Sequence, residues 1–141
     1  MNASQSRSIE PALFILRAGL GIFLLLWGID KIVEPGATVK IFDHFYFLPI
    51  GPGAARVIGA VEVVFALAFL AGYRKTLTYG AAFAMHAIST VSTYKQLLSP
   101  FGHNHLFVAA LPVLAGFAAL WIARDQDRRF ILGGARTGVR G

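Results

Sequence analysis

Arg17, Glu62, Tyr79 and His86 are the residues of this chain whose types and settings could do chemistry. Each sits inside a long apolar stretch, where polar and ionisable groups need partners and point to function. A guanidinium and a phenol donate hydrogen bonds, an imidazole donates or accepts, and a carboxylate accepts. Such a set could hold a quinone headgroup, whose carbonyls need donors and whose reduced form needs a proton acceptor. Glu62 and His86 are the candidates for handling the proton. All four are candidates for touching the headgroup. The plainer role for Arg17 and Glu62 is a buried ion pair that fixes helix register. The plainer role for His86 is a core histidine with its hydrogen bonds satisfied.

The elements that must position these residues are four apolar stretches, 11–33, 53–72, 75–98 and 104–123. A spanning helix needs about 20 mostly apolar residues, because each adds about 1.5 Å against a hydrocarbon core of about 30 Å. The sequence therefore predicts an all-α, integral membrane four-helix bundle over residues 1–124. A basic, flexible tail, 125–141, follows it. The 141 residues are 56% hydrophobic and only 14% charged, too few charges to build a polar surface on a soluble domain of this length. Residues 20–29 and 63–71 lack the polar stripe that a soluble helix would carry. The first stretch exceeds a signal-peptide core and is followed by Asp30-Lys31-Ile32-Val33-Glu34, so it reads as a retained helix.

Lys and Arg set the orientation. Arg7, the pair Arg74 and Lys75, and Arg124, Arg128, Arg129, Arg136 and Arg140 fall on one side. Lys31, Lys40, Arg56 and Lys95 fall on the other, among Asp30, Glu34 and Asp43. This predicts cytoplasmic N and C termini, in a bacterial inner membrane. The long loop 34–52 then faces outward. Pro35, Gly36, Pro49, Gly51 and Pro52 break helix at its two ends. Between them, Val39, Ile41, Phe42, Phe45, Tyr46 and Leu48 fit a short interfacial helix. It would serve as a plug on the bundle mouth or as a lipid-facing ramp for a hydrophobic substrate.

Helical geometry groups the polar residues. In the third stretch Tyr79, His86, Thr90, Thr93 and Leu97 share a side. In the first, Arg17, Gly21, Gly28 and Lys31 do so; in the second, Gly59, Glu62, Ala66 and Phe69. Glu62 and His86 both lie near mid-span on neighbouring helices, so they are expected to meet. Arg17 is expected to reach toward Glu62.

Several chemistries have no support. There is no cysteine, so the chain has no disulfide or thiol relay of its own. His86 is the only mid-membrane histidine, which disfavours an intramembrane bis-His haem within one chain. His103 and His105 lack a nearby carboxylate or thiol to complete a metal set, and Asn104 is expected to cap a helix. The basic tail suits anionic lipid, and no nucleic-acid platform accompanies it.

The residues also resemble a known family. The first stretch reads Leu16-Arg17-Ala18-Gly19-Leu20-Gly21 and then Trp27-Gly28-Ile29-Asp30-Lys31, with Pro35 after it. The second reads Arg56-Val57-Ile58-Gly59-Ala60-Val61-Glu62, then Leu70-Ala71-Gly72-Tyr73-Arg74. This is similar to the DoxX family of small four-helix membrane proteins over roughly positions 13 to 86. The chain departs from the family at the end of the fourth stretch, Trp121-Ile122-Ala123-Arg124-Asp125. The resemblance implies a four-helix fold and a membrane subunit of a quinone-linked redox complex, with quinone as the associated cofactor. The alternative is a non-catalytic structural or assembly subunit of a larger membrane complex. Both imply the lipid bilayer and protein partners.

Overall fold

The computed structural model describes residues 3–132, with side chains from Ile9 onward. Their regular elements are all helical, with no strand among the described residues. The helices are α1 (Ala3–Val33), α2 (Pro35–Tyr46), α3 (Pro52–Leu70), α4 (Lys75–Ser92), α5 (Tyr94–Leu98) and α6 (Ala110–Ile122). A 3-10 helix, Gly102–Ala109, leads into α6. Three helical stretches are long and apolar enough to cross a membrane: Ile9–Val33, Pro52–Leu70 and Gly102–Ile122. The third apolar stretch of the sequence, 75–98, does not reach that standard. Its helix, α4, carries Lys75, Thr76, Thr78, Tyr79, His86, Ser89, Thr90 and Ser92 within 18 residues.

The expected continuous helix over 75–98 is broken at Thr93. Thr90 Oγ1 donates to the carbonyl of His86, Ser92 Oγ to that of Ser89, and Thr93 Oγ1 to that of Thr90, at 2.7–2.9 Å. Side-chain hydroxyls that bond back onto the helix offer the backbone an alternative to its own ladder. The last stretch also starts differently from its expected form. Pro112 has no N–H to give the carbonyl of Val108, so one α-type bond is missing at the start of α6. Residues before Ala110 adopt the tighter 3-10 form instead. Asn104 lies inside that form and donates to the carbonyl of Ser99 at 3.1 Å, so it is not the expected cap.

α2 is the short helix expected in the 34–52 loop. Pro35 occupies its first turn, where a missing N–H does no harm. Phe47 ends it in the left-handed conformation, φ 54°, with its N–H on the carbonyl of Phe42. Between α3 and α4 the chain turns through a Schellman motif. Tyr73 N–H reaches the carbonyl of Ala68, Gly72 N–H reaches that of Phe69, and Gly72 has φ +64°.

The core lies between α1, α3, α4 and α6. It holds Leu13, Leu20 and Leu24 of α1, Ala66 and Phe69 of α3, Tyr79 and Ala82 of α4, and Phe117 and Leu120 of α6. α1 and α3 form the closest pair. A Cβ at Gly59 would lie 2.7 Å from the carbonyl oxygen of Gly28, and a Cβ at Gly28 would meet Val63 at 3.0 Å. Lipid is as apolar as a leucine side chain, so close backbone approach of this kind is what holds helices together in a bilayer. α4 pairs with α6, where Phe83 stacks on Trp121 at 6.2 Å. Outward faces carry Ile15, Ile22, Leu26, Val57, Val61, Val64 and Leu67, as lipid contact requires.

Candidate functional site

Arg17, Thr78, Tyr79 and Asp127, most of the buried polar groups, gather at the end of the molecule that holds the α3–α4 turn. Arg17 lies on α1, eight residues into its apolar part by the numbering from Ile9. Tyr79 lies one turn into α4. After α6 the chain doubles back beneath them, and Asp127 rises into the gap. Arg17, Tyr79 and Asp127 are all fully buried. Arg17 Nη1 donates to Asp127 Oδ2 at 2.8 Å and meets the Tyr79 hydroxyl at 3.3 Å. Tyr79 donates to the same carboxylate oxygen at 2.6 Å.

Main-chain oxygens complete the cage. Arg17 Nη2 donates to the carbonyls of Arg129 and Phe130. Lys75 Nζ donates to the carbonyls of Arg124 and Asp127 at 2.6 and 2.8 Å. Leu132 N–H bonds the carbonyl of Ala71 at 2.9 Å. Phe130 stacks obliquely against Phe14 at 5.1 Å, and the guanidinium of Arg17 lies 5.5 Å from the Phe14 ring centre. Gly72 is required here. A Cβ on it would lie 2.9 Å from Arg17 Nη1.

This arrangement corrects two expectations. Residues 125–132 are not a loose tail; they close the end of the molecule. Arg136 and Arg140 lie outside the described residues. The expected pair between Arg17 and Glu62 is also replaced. Glu62 Oε2 pairs with Lys31 Nζ at 2.9 Å, and both side chains are mostly buried. Glu62 neighbours Val63, which packs on Gly28, roughly 16 Å along α1 from Arg17 by helical rise. Lys31 is also held by the carbonyl of Trp27 at 3.2 Å and lies over the Trp27 ring.

His86 meets neither Glu62 nor Arg17. Its Nε2 lies 3.2 Å from the carbonyl of Ala110, and its ring packs against Phe23 and Phe117. The structure therefore brings Arg17 and Tyr79 together and sets Glu62 and His86 in two other places. The residue that sequence reasoning missed is Asp127. The available signal was depth: the counter-charge to Arg17 comes from the same end of the molecule, and Glu62 does not lie there.

The pattern of the family described as methylamine utilisation protein MauE matches residues 9–104. The chain belongs to the MauE family. That agrees with the small helical membrane protein implied by the DoxX-like motifs, and it gives the family as MauE. No curated protein and no solved structure matches the chain. The MauE-matched region contains Arg17, Glu62, Tyr79 and His86. Asp127, which binds two of these, lies beyond it.

Proposed function

We propose that this MauE-family chain is a non-catalytic accessory subunit of the membrane. In this reading it serves the assembly or maturation of a redox enzyme that acts in methylamine utilisation. One observation carries the choice over a catalytic role. The two Nη groups of Arg17 and the Tyr79 hydroxyl are engaged inside the chain by Asp127 and by main-chain carbonyls, and Glu62 is engaged by Lys31. The groups proposed for a quinone headgroup do not converge on one space. The family description supports the choice of pathway, and the lack of cysteine places any thiol chemistry in a partner.

The membrane arrangement belongs to the same proposal. α1, α3, α4 with α5, and the 3-10 helix with α6 make four spans of a bacterial inner membrane protein. Arg74, Lys75, Arg124, Arg128 and Arg129 gather at one end, which the positive-inside rule assigns to the cytoplasm. α2 then lies on the outer face.

A second reading keeps the DoxX-like role as a subunit of a quinone-linked redox complex. The observation that favours it is the Lys31–Glu62 pair, which is not fully buried and lies beside the exposed Trp27. A quinone ring on that indole would have a cation and a carboxylate at hand. Glu62→Gln separates the two readings in purified complexes. The accessory role predicts a lower yield of complex with unchanged activity per assembled complex. A normal yield with lower quinone-dependent turnover would replace it with the second reading. A chain that is stable alone and co-purifies with no protein would remove both.

A further inference from the structure

Among the described residues, four buried side-chain atoms have no hydrogen-bond partner: Arg17 Nε, Asp127 Oδ1, Arg124 Nε and Gln126 Oε1. All four belong to Arg17 or to the segment that covers it. Buried polar atoms in folded proteins are nearly always paired, so this clustering needs a reason. The geometry at Asp127 supplies one. Its Oδ2 takes bonds from both Arg17 and Tyr79, while Oδ1 takes none. A carboxylate that meets a guanidinium frequently forms two parallel bonds. Asp127 is restrained, because Lys75 holds its main-chain carbonyl. It fills the site end-on and leaves capacity unused on both partners.

The covering segment is itself held mostly by that site. Its hydrogen bonds to the helices come from Arg17, Lys75 and Tyr79, apart from Arg124 to Trp121 and Leu132 to Ala71. Phe130, Leu132, Arg128 and Arg129 are exposed. The geometry points to a carboxylate receptor formed by Arg17 and Tyr79. In this structure the chain's own Asp127 fills it. It takes the carboxylate of an acidic peptide when residues 124–132 swing away.

The identity of the ligand follows from what Arg17 grips now: one side-chain carboxylate and two adjacent peptide carbonyls, which is a peptide's chemistry. Arg74, Lys75 and Arg128 at the same end favour an acidic sequence and repel a basic one. This inference goes beyond the accessory role. That role is tested by co-purification and complex yield. The receptor is tested on the purified chain alone, so the two can fail separately.

The lack of cysteine allows a direct test. Ile131→Cys places a single thiol where the side chain packs against Gly72. The full chain is purified in nanodiscs and labelled with a maleimide. Hexaglutamate is expected to raise the labelling rate about tenfold, the change that corresponds to about 1.4 kcal/mol of opening. Hexaglutamine and sodium chloride at matched ionic strength are expected to leave it unchanged. Adding Asp127→Ala is expected to raise labelling without peptide, and formate is expected to lower it again by filling the vacated site. Labelling that ignores hexaglutamate overturns the exchange. A folded Asp127→Ala chain that ignores formate overturns the receptor. If Asp127→Ala does not fold, the hexaglutamate measurement decides alone, since it leaves Asp127 in place.

Discussion

Arg17 and Asp127 are 110 residues apart in the chain and 2.8 Å apart in space. Their pair joins the first helix to the last described segment and closes one end of the core. Removing one partner of a fully buried pair leaves the other uncompensated. Arg17→Ala should therefore lower stability by about 3–5 kcal/mol. Replacing both, Arg17→Met with Asp127→Leu, should lose much less than either single change. Reversible unfolding in mixed detergent micelles measures all three. A double variant as unstable as the sum of its parts would show that the two residues act independently.

Tyr79→Phe removes one hydroxyl from the same carboxylate and leaves the ring against Phe69. A hydrogen bond to a charged group contributes about 1.5–3 kcal/mol, and the loss should fall in that range. In an Asp127→Leu background the hydroxyl has no carboxylate to meet, and Tyr79→Phe should then be nearly silent. The same unfolding assay reads the difference.

The α1–α3 contact predicts opposite outcomes at two mid-helix glycines, one buried in the seam and one exposed outside it. Gly59→Ala would press a methyl against the Gly28 carbonyl and should cost about 1–3 kcal/mol. Gly19→Ala meets nothing within 4 Å, and replacing a mid-helix glycine by alanine gains up to about 1 kcal/mol. Thermal denaturation of the two variants side by side should move the midpoint in opposite directions.

Gly72 and Gly102 allow backbone strain to be separated from contact. Their φ values are +64° and +65°, so alanine is strained equally at both. Only at Gly72 would the new methyl also strike Arg17, at 2.9 Å from Nη1; Gly102 has nothing within 4 Å. Gly72→Ala should be the more destabilising by at least about 1 kcal/mol. Equal losses would mean that the Arg17 side chain shifts without penalty.

Hydropathy was enough to find α1, α3 and the last apolar stretch, because lipid contact demands long apolar runs whatever their partners. The short helix α2 was legible from its proline boundaries and its apolar spacing. The break at Thr93 was harder to see, since it depends on hydroxyls turning back onto carbonyls inside an apolar run. The site was legible in part. Arg17 and Tyr79 stood out as polar groups in apolar helices, but pairing depends on depth, and depth depends on where each helix enters the bilayer. α1 starts at Ala3, before Pro11, and Gly21 packs against Leu70, so Arg17 lies level with the α3–α4 turn. That register put Glu62 out of its reach. Asp127 was hidden by its setting, a run of arginines that reads as solvated tail.

The placement of Asp127 also bears on the order in which the protein is made. Synthesis proceeds from the N-terminus, and early elements begin to fold while later ones are still absent. α1 and α3 emerge first and hold all the contacts of their glycine seam, so they can pair as soon as both are inserted. Arg17 enters the bilayer with them, but its carboxylate is translated after every helix described here. Until then the guanidinium has to be hydrated or drawn toward the membrane surface. The docking of residues 124–132 thus follows the synthesis of every helix described here. A ribosome that stalls before Asp127 would leave a membrane-inserted chain with its oldest helix still unsatisfied.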